Sequence, residues 1–129
     1  MKVWTMLLAV GSMWLGACAS EIARYPVESF AASQQSGRRY IVSTPAYIRL
    51  DSGYERTLSA GTELREFGTI KQGRILQPVS TVFTIDGAHM HEAYLVLNDG
   101  RIVGFYLPAE GAFSPLSQSV NLSIQERRP

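Results

Sequence analysis

The run Tyr94-Leu95-Val96-Leu97-Asn98-Asp99-Gly100-Arg101-Ile102-Val103-Gly104-Phe105-Tyr106-Leu107 decides the fold class. Two stretches of aliphatic and aromatic residues flank an Asn-Asp-Gly break, the composition of paired strands around a tight reversal. Asp99-Gly100 suits a two-residue type I′ turn, because glycine accepts the positive φ that this turn demands. With that pair as the loop, Val96 is expected opposite Val103 and Tyr94 opposite Phe105. An aromatic cross-strand pair of this kind stabilises a sheet by roughly 0.2–1 kcal/mol. Both flanks are apolar at both parities, so neither has a solvent face, and both belong in the middle of the fold.

Working outward, the signal recurs from Arg38 to about Gln125. Runs rich in Val, Ile, Thr, Tyr and Phe lie between Gly, Pro, Asp and Asn at 40–43, 46–50, 63–67, 74–77, 81–85, 89–97, 101–107 and 120–124. The last alternates cleanly, with Val120, Leu122 and Ile124 on one side and Asn121, Ser123 and Gln125 on the other, as a half-buried strand should. Asp86-Gly87 marks a second hairpin, which would set Ile85 opposite Ala88, Thr84 opposite His89 and Phe83 opposite Met90. One face would then carry Phe83, Ile85, Ala88 and Met90 as core, and the other Val82, Thr84, His89 and His91. The two hairpins together predict a three-stranded meander over 81–107. No segment carries a sustained helical period, and no internal repeat is present. The expectation is an all-β chain, a small antiparallel barrel or sandwich. Phe113-Ser114-Pro115-Leu116 is expected as a loop plugging one end, and Glu126-Arg127-Arg128-Pro129 as a frayed terminus.

The run 93–107 resembles the late hairpin of bacterial SH3-like domains, in which an aromatic strand, an Asp-Gly turn and a Gly-aromatic step close a small barrel. Ala46-Tyr47-Ile48-Arg49-Leu50-Asp51-Ser52-Gly53 resembles their first strand and loop, and Gly61-Thr62-Glu63-Leu64 the next turn into a strand. The resemblance covers about half of the chain beyond the N-terminal leader. It implies an SH3-like barrel, from which the longer 67–91 segment and the extra strand in 108–124 depart.

The N-terminus carries a different pattern. Met1-Lys2 is a short positive start, and 3–14 is an uncharged apolar stretch. It is shorter than the roughly 20 residues that a bilayer-spanning helix needs, and reads as a secretory signal peptide. Leu15-Gly16-Ala17-Cys18 resembles the bacterial lipobox. That resemblance implies a diacylglycerol on the Cys18 thiol, cleavage between Ala17 and Cys18, and acylation of the new amino group. The alternative is an ordinary signal peptide ending near Ala17 or Ala19. Cys18 is the only cysteine, so an exported chain would have no disulfide partner for it, and lipidation accounts for that. Two or more acyl chains anchor stably where one does not. Ala19 rather than Asp follows the cysteine, which by analogy with enteric sorting implies the outer membrane, periplasmic face.

Residues 1–17 are thus expected as signal peptide, 18–37 as a lipidated tether and 38–129 as the β-domain. Pro26 blocks a helix through the leader, and Ala31-Ala32-Ser33-Gln34-Gln35-Ser36-Gly37 has linker composition. A short helix over 27–35 is the alternative, as is a docking role for Tyr25 and Phe30. Removing Lys2 leaves eleven basic against eleven acidic residues. That balance lacks the electrostatic footprint of nucleic-acid binding and the polybasic patch of anionic-lipid binding.

Few residues suggest chemistry. His89 and His91 lie two apart, so on a strand they share a face and could meet one metal. A stable site needs three or four ligands, Glu92 has the opposite parity, and no metal is expected. The motifs Gly-x-Ser-x-Gly, Ser-x-x-Lys and His-Glu-x-x-His are absent, as is a glycine-rich phosphate loop, and the carboxylates are scattered. An enzyme is not expected, and no cofactor beyond the Cys18 lipid. Alternation sets Tyr106 on the opposite face from Tyr94 and Phe105, which makes Tyr106, with His89 and His91, a candidate binding surface. Packing beneath 112–116 is the other role open to it. The expected function is a non-catalytic interaction or assembly module of an envelope machine of secretion or conjugation type, engaging a protein or peptidoglycan. An inhibitor or immunity lipoprotein against a wall hydrolase is the alternative, and a metal-handling lipoprotein the second.

Overall fold

A computed structural model describes residues 21–34 and 37–127, and every regular element in them is a strand. In chain order these are β1 (Tyr25–Pro26), β2 (Phe30–Ala32), β3 (Arg39–Val42), β4 (Ala46–Arg49), β5 (Glu55–Leu58), β6 (Glu63–Ile70) and β7 (Gly73–Pro78). There follow β8 (Thr84–Asp86), β9 (Met90–Glu92), β10 (Tyr94–Asn98), β11 (Arg101–Leu107), β12 (Ala112–Asn121) and β13 (Ile124–Arg127). One antiparallel sheet runs β1-β12-β11-β10-β7-β6-β3-β13, with β2 added to β6; β4–β5 and β8–β9 are separate ribbons. The sheet path has two ends, so the barrel is not closed.

The doubly apolar strands β10 and β11 do lie in mid-sheet. Leu95, Leu97, Ile102, Phe105 and Leu107 join Leu64 and Leu76 in the main core. Ala46, Ile48, Leu50 and Leu58 from the β4–β5 region, with Ile85 of β8, pack into that core, so the two ribbons form a second layer over the sheet. Leu122 is buried there with Val120 and Ile124 packed beside it, while Asn121, Ser123 and Gln125 are exposed, as the alternation requires. A second cluster holds Ile70, Ile75, Tyr94, Val96 and Phe113, flanked by Val27, Phe67, Val103 and Tyr106.

The Asp99-Gly100 turn forms as expected, with φ of 54° and 73° and Asn98 opposite Arg101. The register beyond it does not. Leu97 opposes Ile102, but Val96 opposes Gly104, leaving Val103 as an extra residue. A bulge moves every later side chain to the other face. Tyr94 therefore opposes Tyr106, not Phe105, and Val96 does not oppose Val103. Phe105 turns into the main core and stacks on Phe83 with ring centroids 5.9 Å apart.

The second hairpin is also shifted. Asp86 pairs with Met90, so the loop is Gly87-Ala88-His89, closed by the Gly87 N–H donating to the His89 carbonyl at 3.0 Å. Ile85 opposes His91 rather than Ala88, and His91 turns inward while Met90 points out. Ala93 donates to the Phe83 carbonyl and splits the run 89–97 into two strands. The free side of β10 consequently meets β7, not β9, and the meander expected over 81–107 is replaced by β6-β7-β10-β11-β12. Residues 113–116, expected as a plug, lie instead in the first half of the ten-residue β12; Glu126 and Arg127 pair in β13 rather than fray. Arg128 and Pro129 lie outside the described residues.

The leader departs most from expectation. Its described part, 21–34, is laid along the sheet instead of forming a free tether. Ile22 is buried in the main core. Tyr25 and Pro26 pair with Phe113 and Ala112, and Phe30, Ala31 and Ala32 pair with Ile70, Thr69 and Gly68. Pro26 is tolerated because β1 is an edge strand, where a missing donor can face solvent. The signal peptide, the lipobox residues Leu15, Gly16 and Ala17, and Cys18 lie outside the described residues.

Candidate functional site

β9 carries His91 inward, where only 6% of its surface stays exposed. Its Nδ1 lies 2.7 Å from Oε1 of Glu110, in the turn between β11 and β12. Its Nε2 lies 3.3 Å from Oε1 of Glu21, in the leader. An ionised carboxylate only accepts, so each contact is a hydrogen bond where the ring nitrogen facing it carries a proton. Burial pushes the Glu21 carboxyl up. Hydrogen bonds from His91 and the Ile22 amide, with the charges of Arg24 and His89, outweigh that and hold it below its ordinary value. The cluster is a polar clasp that joins three segments distant in sequence.

His89 does not join it. It sits exposed in the three-residue loop, so the two histidines do not share a face as a strand through both would require. His91 has both ring nitrogens engaged. Among the described residues no three His, Cys, Asp or Glu side chains gather as a metal site. Beside the clasp a cleft of about 140 Å³ opens between the layers, lined by Ile22, Leu50, Ile85, Phe105 and Leu116. Asp51 at its rim accepts from the Ser117 amide at 3.0 Å and the Ser117 hydroxyl at 2.7 Å.

The β8–β9 hairpin is braced at its base. Arg56 Nε donates to the Thr84 carbonyl at 2.8 Å, and its Nη2 is paired with the Asp86 carboxylate. Ser52 Oγ donates to the Asp86 carbonyl at 2.6 Å. The tip residues Ala88, His89 and Met90 are exposed.

Tyr106 lies half-buried in an aromatic group on the second face of the sheet. Phe30 stacks on it at 5.9 Å with 12° between the planes, and lies 5.5 Å from Phe67. Phe67 meets Tyr94 edge-on at 4.9 Å, and Tyr94 lies 6.3 Å from Tyr106. Burial, then the neighbouring Glu92, raises the Tyr94 phenol above its usual value. The ring expected as a free binding surface is thus covered by the leader. Docking of Phe30 was open in the sequence as the alternative to a linker; Glu21 and Glu110 carried no signal, because nothing in a single sequence relates positions 21, 91 and 110.

No protein-family model, no curated protein and no solved structure matches this chain.

Proposed function

We propose that the chain is a lipid-anchored, non-catalytic interaction module on the periplasmic face of the outer membrane. It would dock a protein or peptidoglycan within an envelope assembly. The anchor rests on the lipobox resemblance at Leu15-Gly16-Ala17-Cys18 and on Ala19 after it. The observation that carries the module reading is the strapped leader. Glu21 is clasped three residues after Cys18, which would hold the domain against the bilayer with its other surfaces presented. Large apolar side chains remain on those surfaces: Tyr47 and Val82 are each 73% exposed, and Met90 is 70% exposed. Such residues, where they gather, mark interaction sites.

The test is affinity isolation of the full-length protein from gently solubilised envelopes, read by mass spectrometry, with Cys18→Ala as control. A reproducible set of envelope-assembly proteins, lost in the control, is the expected result. Isolation of a single hydrolase would move the reading to an inhibitor. That second reading has one observation of its own, the braced β8–β9 hairpin with an exposed tip, since a rigid projection loses little entropy on insertion into a cleft. It predicts one-to-one binding to a muramidase or amidase, abolished by Met90→Asp and retained by Tyr47→Ala.

A further inference from the structure

The edge of β6 opposite β7 is completed by two different strands. β3 pairs with residues 63–65 and the leader strand β2 with 68–70. Gly68 makes room for the second. A Cβ there would lie 2.5 Å from the Phe30 ring and 2.7 Å from the Ala31 carbonyl oxygen. The slot therefore has a definite chemistry: an extended backbone, an aromatic ring on Phe67 and Tyr106, and small residues following.

Its present occupant lies at the surface, held by the β2–β6 ladder, by the Ser33 amide donating to the Phe67 carbonyl at 3.1 Å and by the Phe30 ring. All three residues of β2 are exposed, and Phe30 keeps 44% of its surface in solvent although it is the anchor. Six residues join Ala32 to Arg39, whose partners Gly68 and Arg65 are only three apart, about 10 Å along a strand. β2 can thus leave without displacing β3. The leader is tied to the domain and supplied at an effective concentration on the order of millimolar, which a competing strand must exceed.

We propose that this half-edge of β6 is a strand-acceptor site capped in cis, and that its partner is an extended segment of another protein with an aromatic residue followed by two small ones. Strand addition supplies the main-chain bonds, and the aromatic pocket supplies the selectivity.

The site is tested without the lipid, so its failure is separate from failure of the anchor. The chain from residue 18 onward carries Cys18→Ser, Phe30→Ala to loosen the cap, and Thr69→Cys as its only thiol. A synthetic peptide with the 28–34 sequence and cysteine in place of Ala31 is offered in a glutathione buffer. Ala31 and Thr69 are direct partners, close enough for a disulfide. Trapping should exceed that of a peptide lacking the phenylalanine by about tenfold, the usual loss for a truncated aromatic anchor. It should fall when Phe30 is retained, when Gly68→Ala fills the slot, and when the thiol is moved to the exposed ribbon as Thr57→Cys. Equal trapping of both peptides, or trapping indifferent to Phe30 and Gly68, overturns the proposal. A disulfide between an Ala31→Cys chain and a Thr69→Cys chain, with no peptide trapped, would assign the slot to a second copy and also overturn it.

Discussion

His91 faces two carboxylates from inside the protein, and its replacement leaves both without their shared partner. The short bond to Glu110 is charge-assisted and buried on the histidine side. Bonds of that type contribute about 1.5–3 kcal/mol, so His91→Ala should lower stability by roughly that amount in urea unfolding. Glu21 adds a pH dependence with a definite sign. Its folded value is lowered, so the unfolded chain binds the proton more tightly. Its contribution is complete above the ordinary glutamate value near 4.5 and is lost as the pH falls through the lowered folded value. The difference in urea midpoint between the wild type and Glu21→Gln should therefore be present at neutral pH and vanish in acid. A difference that grows on acidification would contradict the clasp.

Among the elements, the leader makes the most discriminating prediction. A tether would tolerate any small residue at position 22, whereas Ile22 is 9% exposed within the main core. Ile22→Ala should cost about 2–3 kcal/mol, toward the low end for a buried isoleucine, measured by thermal or urea unfolding. An unchanged midpoint would restore the tether. Much of the rest was legible, for local reasons. β10 and β11 were readable because each is apolar on both faces, and the Asp99-Gly100 turn because only a few residues accept its φ. The register beyond the turn was not, because the bulge at Val103 answers to packing of the whole sheet. Glu55-Arg56-Thr57-Leu58 was missed as a strand because its polar residues serve the neighbouring hairpin, Arg56 bracing Thr84 and Asp86. His91 was placed outward for the same kind of reason. One extra loop residue after Asp86 reverses the inside and outside of β9.

At the scale of the molecule, these shifts move the boundary of the folding unit. Composition sets it near Arg38, but the sheet has two faces and the ribbons cover only one of them. The second face, with Phe67, Tyr94 and Tyr106, is covered in part by Phe30 and Val27 of the leader. A chain beginning at Arg38 would lose that cover, Ile22 from the main core and Glu21 from the clasp, and would expose an aromatic patch beside an unpaired half-edge of β6. Exposed apolar surface next to an open edge is the arrangement that promotes association. The shortened chain should unfold at lower urea concentration than the chain starting at residue 18, and should self-associate in sedimentation at concentrations where the longer one is monomeric. Adding the 28–34 peptide should reverse part of the association, because it refills the slot that Phe30 leaves. If the shortened chain is as stable and as monomeric as the longer one, the leader is an accessory to the fold and its strands are dispensable. If it is not, the residues nearest the proposed anchor are structural, and any partner that draws them off the sheet must supply an equivalent cover.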